Sequence, residues 1–460
     1  MRRSFGALGA GPASSSVLLL AGALVVATAA APRAARAAMV TEVADAGEKD
    51  KPIDINLDLR WERWQENGRL QRTFYDAKSQ STYQADEVDY QRAVNVLELG
   101  VHIGLTRNLE FHVSAPYIAQ DYQSWSYANI NGTSVQNSST IQNNNMNAHG
   151  DVTNPATPLF SVPGTVYRGG FANPTIGMAW GIFDDGFVNK LPPTWYPSTD
   201  HVATWVIGLD WTIPLAPVMD PSAAHAGTPN TGSYLPAADG QHKLDFWTAM
   251  SKRLGVVEPF FKIHYMLPIS AGNAYDNCSI AGHDAAQTVM SSAGQALCNA
   301  AGNDTFWVGK TGLVAPQIGG LLFGLEFHPL DGGQNGASVN IGLQFSGDFV
   351  SKGRTYSEIS DVVRKLTYVD QYFDLRGQLT MDIRFNRWIH WVSFLAVGTF
   401  TPHLLTDESV GMDRNGDGKV TLDTNEVNPN YDFRLDQPGR QFTVSSVLIV
   451  GVSTRLSVDF

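Results

Sequence analysis

From Phe442 to Phe460 the chain alternates. Phe442, Val444, Leu448, Val450, Val452, Leu456, Val458 and Phe460 share one parity, and Thr443, Ser445, Ser453, Arg455, Ser457 and Asp459 occupy the other. A strand sends successive side chains to opposite faces, so the segment predicts a strand with one apolar and one polar face. Three further segments are as clean: Ile53 to Glu62, Ser338 to Phe349 and Phe373 to Phe385. A helical period fits none of them. Weaker runs of the same kind span Leu97–Leu105, Leu109–Tyr117, Ile176–Ile182, Trp205–Ile213, Leu244–Met250, Phe261–Leu267, Leu321–Phe327 and Trp388–Phe400, which brings the count to twelve. Each is close to the roughly 9–11 residues of a tilted transmembrane strand.

The connections alternate too. Those at Thr106–Asn108, Leu254–Gly255, Leu330–Gly336 and Asn386–Arg387 are short, whereas others run as long as Ser124–Gly170 and Gly272–Thr311. The connection Asp184–His201, with Pro192-Pro193, is long where a short one is expected. Trp61, Trp64, Tyr117, Trp205, Trp211, Tyr265, Trp388 and Trp391 lie near strand ends, as in the aromatic girdles of membrane barrels. A strand ending on an aromatic carboxy terminus resembles the last strand of bacterial outer-membrane β-barrels. The resemblance implies recognition of that strand by the barrel-assembly machinery and residence among outer-membrane lipid in a Gram-negative cell. The expected fold is therefore all-β: a transmembrane antiparallel up-and-down barrel of about twelve strands, with short periplasmic turns and long extracellular loops. A soluble β-sandwich is the competing reading of the same alternation.

The amino terminus fits export. Arg2 and Arg3 precede the apolar run Val17–Ala31, and Ala35-Arg36-Ala37 is an A-x-A cleavage pattern. Residues 1–37 read as a signal peptide, 38–52 as a periplasmic N-terminal segment and 53–460 as the barrel. Arg2-Arg3-Ser4-Phe5 also resembles a twin-arginine signal, but an ordinary basic leader suits a barrel better, since barrels cross the inner membrane unfolded. Without the four arginines of residues 1–37, 28 basic side chains face 44 acidic ones, a net of −16. That balance, with no basic stretch carrying interleaved aromatics, excludes nucleic acid as a partner.

On the polar parity both signs recur: Asp54, Asp58, Arg60, Glu62, Glu98, Glu110, Asp210, Asp245, Arg253, Glu258, Lys262, Glu326, Asp348, Asp374, Arg376, Asp382, Arg384, Arg455 and Asp459. Facing a lumen, such charges either pair across it, making a plug, or are wetted, making a pore. The hairpin Gly104-Leu105-Thr106-Arg107-Asn108-Leu109-Glu110-Phe111, followed by Pro116-Tyr117, resembles the outer-membrane transporter family named for phenol degradation by the meta pathway. Gly170–Gly177 and Ala203–Pro214 resemble its later strands, so the likeness covers about half the chain. Arg107 stands where that family more usually has an acidic residue, and the shared motifs are turn chemistry. The substrate in the family's name is not carried over.

Asp413-Arg414-Asn415-Gly416-Asp417-Gly418-Lys419-Val420-Thr421 reads as the first two thirds of a calcium loop. Asp413, Asn415, Asp417, Lys419 and Thr421 hold the ligand positions, but Thr424 stands where a bidentate Glu closes such loops, with Asp423 before it and Glu426 two later. An Asp/Asn/Gly-rich surface turn is the alternative. Cys278 and Cys298, alone in one long loop of an exported chain, are expected to form a disulfide. His112 and Ser114, spaced as in outer-membrane lipases, fall on the lumenal parity, and no Gly-x-Ser-x-Gly or H-E-x-x-H accompanies them. The chain is expected not to be an enzyme. It reads as a channel or transport barrel for small solutes. A surface barrel acting through extracellular loops such as the Asn/Ser-rich Asn129–Gly150 is the alternative, and a hydrolase a remote one.

Overall fold

The computed structural model describes residues 38–44, 54–76, 80–106, 108–137, 139–142, 159–160, 162, 164–183, 203–223, 234–278, 310–331, 336–386, 388–421 and 426–460. Twelve strands form the wall: β1 Asp54–Asp76, β2 Ser81–Thr106, β3 Leu109–Tyr127, β4 Thr175–Phe183, β5 Thr204–Thr212, β6 Gln241–Ser251, β7 Val257–Ser270, β8 Ile318–Asp331, β9 Ser338–Val350, β10 Tyr372–Arg384, β11 Ile389–Phe400 and β12 Phe442–Asp459. Each pairs antiparallel with the next, and β12 closes on β1 from Asn56↔Asp459 to Arg72↔Phe442. The result is a closed up-and-down barrel, an all-β membrane fold that leaves no sheet edge unpaired. The strand Thr165–Phe171 runs on in line from β4 and pairs the distal half of β3, so the wall is tallest at β1 to β4 and β12.

The outer face carries the apolar parity. Leu59, Leu99, Phe323, Leu343 and Leu379 are each about half exposed in the isolated chain, a belt suited to lipid. Trp61, Tyr117, Trp211, Tyr265 and Trp388 point outward along with them. Trp64 does not. Its neighbours in the chain force it inward, where its ring covers Gly451, lies 5.8 Å from Phe394 and receives the Arg376 guanidinium at 4.7 Å.

β1, β2 and β3 are at least twice as long as the alternation implied, and β12, at 18 residues, has the length expected and rises with them. Their distal halves rise beyond the belt, and there the pattern inverts. In β1 the outward positions change from Leu57, Leu59 and Trp61 to Arg63, Asn67 and Arg69, while the inward ones change from Asp58, Arg60 and Glu62 to Leu70. Outside, Arg69 pairs with Asp86 and Asp89 at 2.9 Å each. Inside, Leu70, Val88, Tyr90 and Trp125 pack with Ile141, Phe160, Ile359, Val363, Leu405 and Leu435 from the loops. A helical turn, Ser360–Val363, is held there by Arg168 Nε donating to Asp361 Oδ2 at 3.0 Å.

The single face expected for Phe442 to Phe460 is broken at Ser446. Its φ of 53° is left-handed, and the register with β1 slips between Asn67 and Arg69. A bulge of this kind changes which parity faces in. Leu448 to Val458 keep their lipid-facing parity, but Phe442 and Val444 turn into the loop core and are fully buried.

Candidate functional site

The lumenal face at mid-barrel carries a hydrogen-bonded chain of carboxylates and imidazoles. His102 on β2 lies with Nε2 3.3 Å from Asp58 Oδ2 on β1 and Nδ1 2.7 Å from Glu110 Oε1 on β3. His112, two residues on, has Nδ1 3.1 Å from the same Glu110 oxygen and Nε2 2.8 Å from Asp210 Oδ1 on β5. That last contact crosses β4, which is feasible because Gly177 stands between: a Cβ there would sit 2.2 Å from both His112 Nε2 and Asp210 Oδ1. Trp247 Nε1 donates to Asp210 Oδ2 at 3.0 Å and lies over Gly208, and Lys262 Nζ sits 4.2 Å from the Trp247 ring centre.

The device recurs one third of the wall further on. His264 on β7 meets Asp245 at 3.3 Å through Nδ1 and Asp348 on β9 at 3.1 Å through Nε2, again across a glycine, Gly320 of β8. Histidine, glycine and aspartate thus stand on three consecutive strands in each case. Glycine on the lumenal parity of a strand is the only mark of this in the sequence. His102, His264 and His328 are not among the residues that alternation or motif spacing picks out.

Among the described residues, pairing runs around the wall or to residues 38–44 instead of across the lumen. Arg60 meets Glu98 on the next strand at 2.8 Å, Arg376 folds onto Asp374 of its own strand at 2.6 Å, and Arg384 lies 3.7 Å from Asp459. His390 pairs with Asp382, which also accepts from Asn340 Nδ2 at 3.1 Å. Glu62 faces inward beside Arg60, their charged groups 3.5 Å apart. The side chains of Arg60, His102, Arg376, Asp245 and Asp348 keep between 29% and 39% exposure, whereas Asp374, Asp382, His390 and Arg384 keep 5–13%, closer to the 0–5% of charged pairs in the loop core such as Arg168–Asp361 and Arg354–Glu408. Arg253 is not in this set. It lies beyond β6 in the turn Lys252–Val256, where its Nε donates to the Gly255 carbonyl.

Residues 38–44, expected as a periplasmic segment, lie inside the turn end of the barrel. Three glutamates from three strands hold its main chain: Ala38 N–H donates to Glu258 Oε1 at 2.7 Å, Met39 N–H to Glu326 Oε1 at 2.9 Å and Ala44 N–H to Glu110 Oε2 at 2.7 Å. Thr41 Oγ1 meets Ser251 Oγ at 2.8 Å. Ala38, Thr41 and Ala44 are buried. The segment is a strap across the mouth, attached to the same Glu110 that joins the two imidazoles.

Asp413, Asn415 and Asp417 lie together in an exposed turn. Asp413 accepts from the Gly416 and Gly418 amides at 2.7 Å each, and those bonds, Gly418's first, hold its carboxyl below the usual range. Lys419 N–H donates to Asp417, and Glu426 reaches back to the Arg414, Asn415 and Thr421 amides. Asp423 and Thr424 lie outside the described residues, as do Cys298, Arg107 and the connection 184–201. Cys278 is disulfide-bonded. Ser114 faces the interior opposite Gly100 and Thr175, away from lipid.

No family model matches the chain, and no curated protein matches it. Among solved structures it is similar to the COG4313 outer membrane channel of Pseudomonas putida F1, at 10% identity and a TM-score of 0.38 over 88% of this chain and 95% of the other. It is also similar to a FadL homologue of Pseudomonas aeruginosa, at 7% identity and a TM-score of 0.32 over 89% and 90%. A third similarity is to the outer membrane protease OmpT of Escherichia coli, at 6% identity and a TM-score of 0.27 over 88% and 97%. Likeness this low carries no argument about activity. The class of the protein, a twelve-stranded transmembrane barrel, rests on its own closed strand pairing and apolar belt.

Proposed function

We propose that the chain is an outer-membrane channel for small solutes, closed in this conformation by the strap at one end and the packed loops at the other. The observation that supports this is the pairing of lumenal charges along the wall instead of across the lumen, which leaves Arg60, Arg376 and Asp348 partly exposed. Rings of charged side chains set ion preference in such pores. Asp348, Asp374 and Asp382 weight this one towards cations.

Single-channel recording of the refolded protein in planar bilayers tests the reading. The intact protein should conduct weakly or intermittently. The pair Glu258→Ala and Glu326→Ala, which releases the strap, should raise conductance several-fold. Replacing Asp348, Asp374 and Asp382 together by Asn in that background should shift the reversal potential in a salt gradient towards anions. A barrel that stays silent with the strap released and the loops shortened would favour a surface role through the loops.

A further inference from the structure

We propose that His102, Glu110 and His112 form a binding site for one divalent cation of the zinc type on the lumenal wall. Their ligand atoms, two imidazole nitrogens and a carboxylate oxygen, lie within 4.8 Å of one another. The donor set of two imidazoles and one carboxylate is one that Zn²⁺ takes when three protein ligands leave a position open for water. Coordination at about 2.1 Å spaces neighbouring ligand atoms by roughly 3.0–3.4 Å. Here Glu110 Oε1 stands 2.7 Å from His102 Nδ1 and 3.1 Å from His112 Nδ1, so a small outward turn of the carboxylate opens the seat.

The surroundings point the same way. Metal-bound histidines almost always give their other ring N–H to a carboxylate, which sets the tautomer and the ring plane. His102 Nε2 faces Asp58, His112 Nε2 faces Asp210, and both Nδ1 atoms face inward on one point. Glu110 is oriented by Ala44 N–H on Oε2, which leaves Oε1 for the ion. Glu110 Oε1 stands between the two Nδ1 atoms, and the two rings lie with their centres 5.4 Å apart. Gly177 keeps the space that His112 and Asp210 need. His264 supplies the internal contrast: it has a carboxylate at each nitrogen but, among the described residues, belongs to no cluster with a second imidazole.

The site joins β1, β2, β3 and β5 to the strap, whether or not the lumen conducts. The test is a titration of the refolded, chelator-treated barrel with Zn²⁺ by calorimetry and with Co²⁺ by visible absorption. One equivalent should bind, with Co²⁺ bands of a low-coordinate nitrogen and oxygen site. His102→Ala, His112→Ala and Glu110→Gln should each weaken binding at least 100-fold, and Asp58→Asn or Asp210→Asn about 10–100-fold. His264→Ala should leave it unchanged. Gel mobility without boiling checks that each variant is folded, and X-ray absorption of the wild-type Zn²⁺ complex counts its imidazoles without any variant. Absence of binding at 1 mM (roughly the weak limit for a structural ion site), a spectrum without imidazole ligands, or equal loss in His264→Ala would overturn the proposal.

Discussion

The two halves of the barrel solve opposite solvent problems with the same strands. In the turn half, β1 presents Leu57, Leu59 and Trp61 outward and Asp58, Arg60 and Glu62 inward. In the loop half it presents Arg63, Asn67 and Arg69 outward and buries Leu70. Lipid removes the hydrophobic drive from the outside of the first half, and its charges collect on the lumenal side. The second half stands in water and behaves as a soluble domain. Its core is apolar, and its buried ions find partners there, as in Arg354 with Glu408, whose second arm is a 2.9 Å Nη2–Oε2 contact.

The largest test of that contrast lies in the loop core. Phe442 is fully buried, with the Arg72 guanidinium 5.3 Å from its ring centre and Phe160 at 5.7 Å. Phe442→Ala should cost about 3–5 kcal/mol by cavity formation, equally in micelles and in bilayers. Reversible urea unfolding measures it. A cost that vanishes in bilayers would mean that Phe442 faces lipid and the bulge is misplaced.

Leu343→Arg on the outer face should cost about 2–4 kcal/mol in bilayers if it sits at the midplane. Asn67→Arg, on the outer face of the loop half, should cost close to nothing. Similar values for the two would erase the boundary between the halves.

A smaller effect concerns a buried acid of the loop core. Burial pushes Asp436 up to about 7, against the opposing pull of Lys365 and with Glu408 and Asp432 adding to the rise. The folded loop therefore binds a proton more tightly than the unfolded chain does. Its stability is greatest below the ordinary carboxylate range, near pH 4, and falls as pH rises to about 7, then levels off. Amide protection at Leu405 and Leu435 should drop by about tenfold or more between pH 5 and pH 8. Asp436→Asn should flatten that dependence. Equal protection in the unmodified protein at both pH values would show that the core admits water.

Much of the wall was legible because alternation against lipid is a local code: Leu343 and Leu379 face out, Gln344 and Gln378 face in, and no distant residue is needed to say so. Short turns such as Asn386 to Trp388 were legible from their turn residues, Asn386 Oδ1 accepting from the Trp388 and Ile389 amides. Trp64 was misread because its type suits a girdle, while its place in the chain decides the face. Phe442 and Val444 were misread because one left-handed residue, Ser446, resets parity without changing the hydrophobic pattern.

The sequence by itself determined the strand number, the membrane class and most of the charges that line the interior, Arg253 excepted, since each follows from period-two patterning over a few residues. Only the tertiary structure decided what those charges meet. His112 reaches Asp210 across 98 positions and an intervening strand, and Ala38 reaches Glu258 across 220. Closing the barrel sets such neighbours by strand register and by the glycines that let side chains lie across a strand, and neither is written in the local alternation.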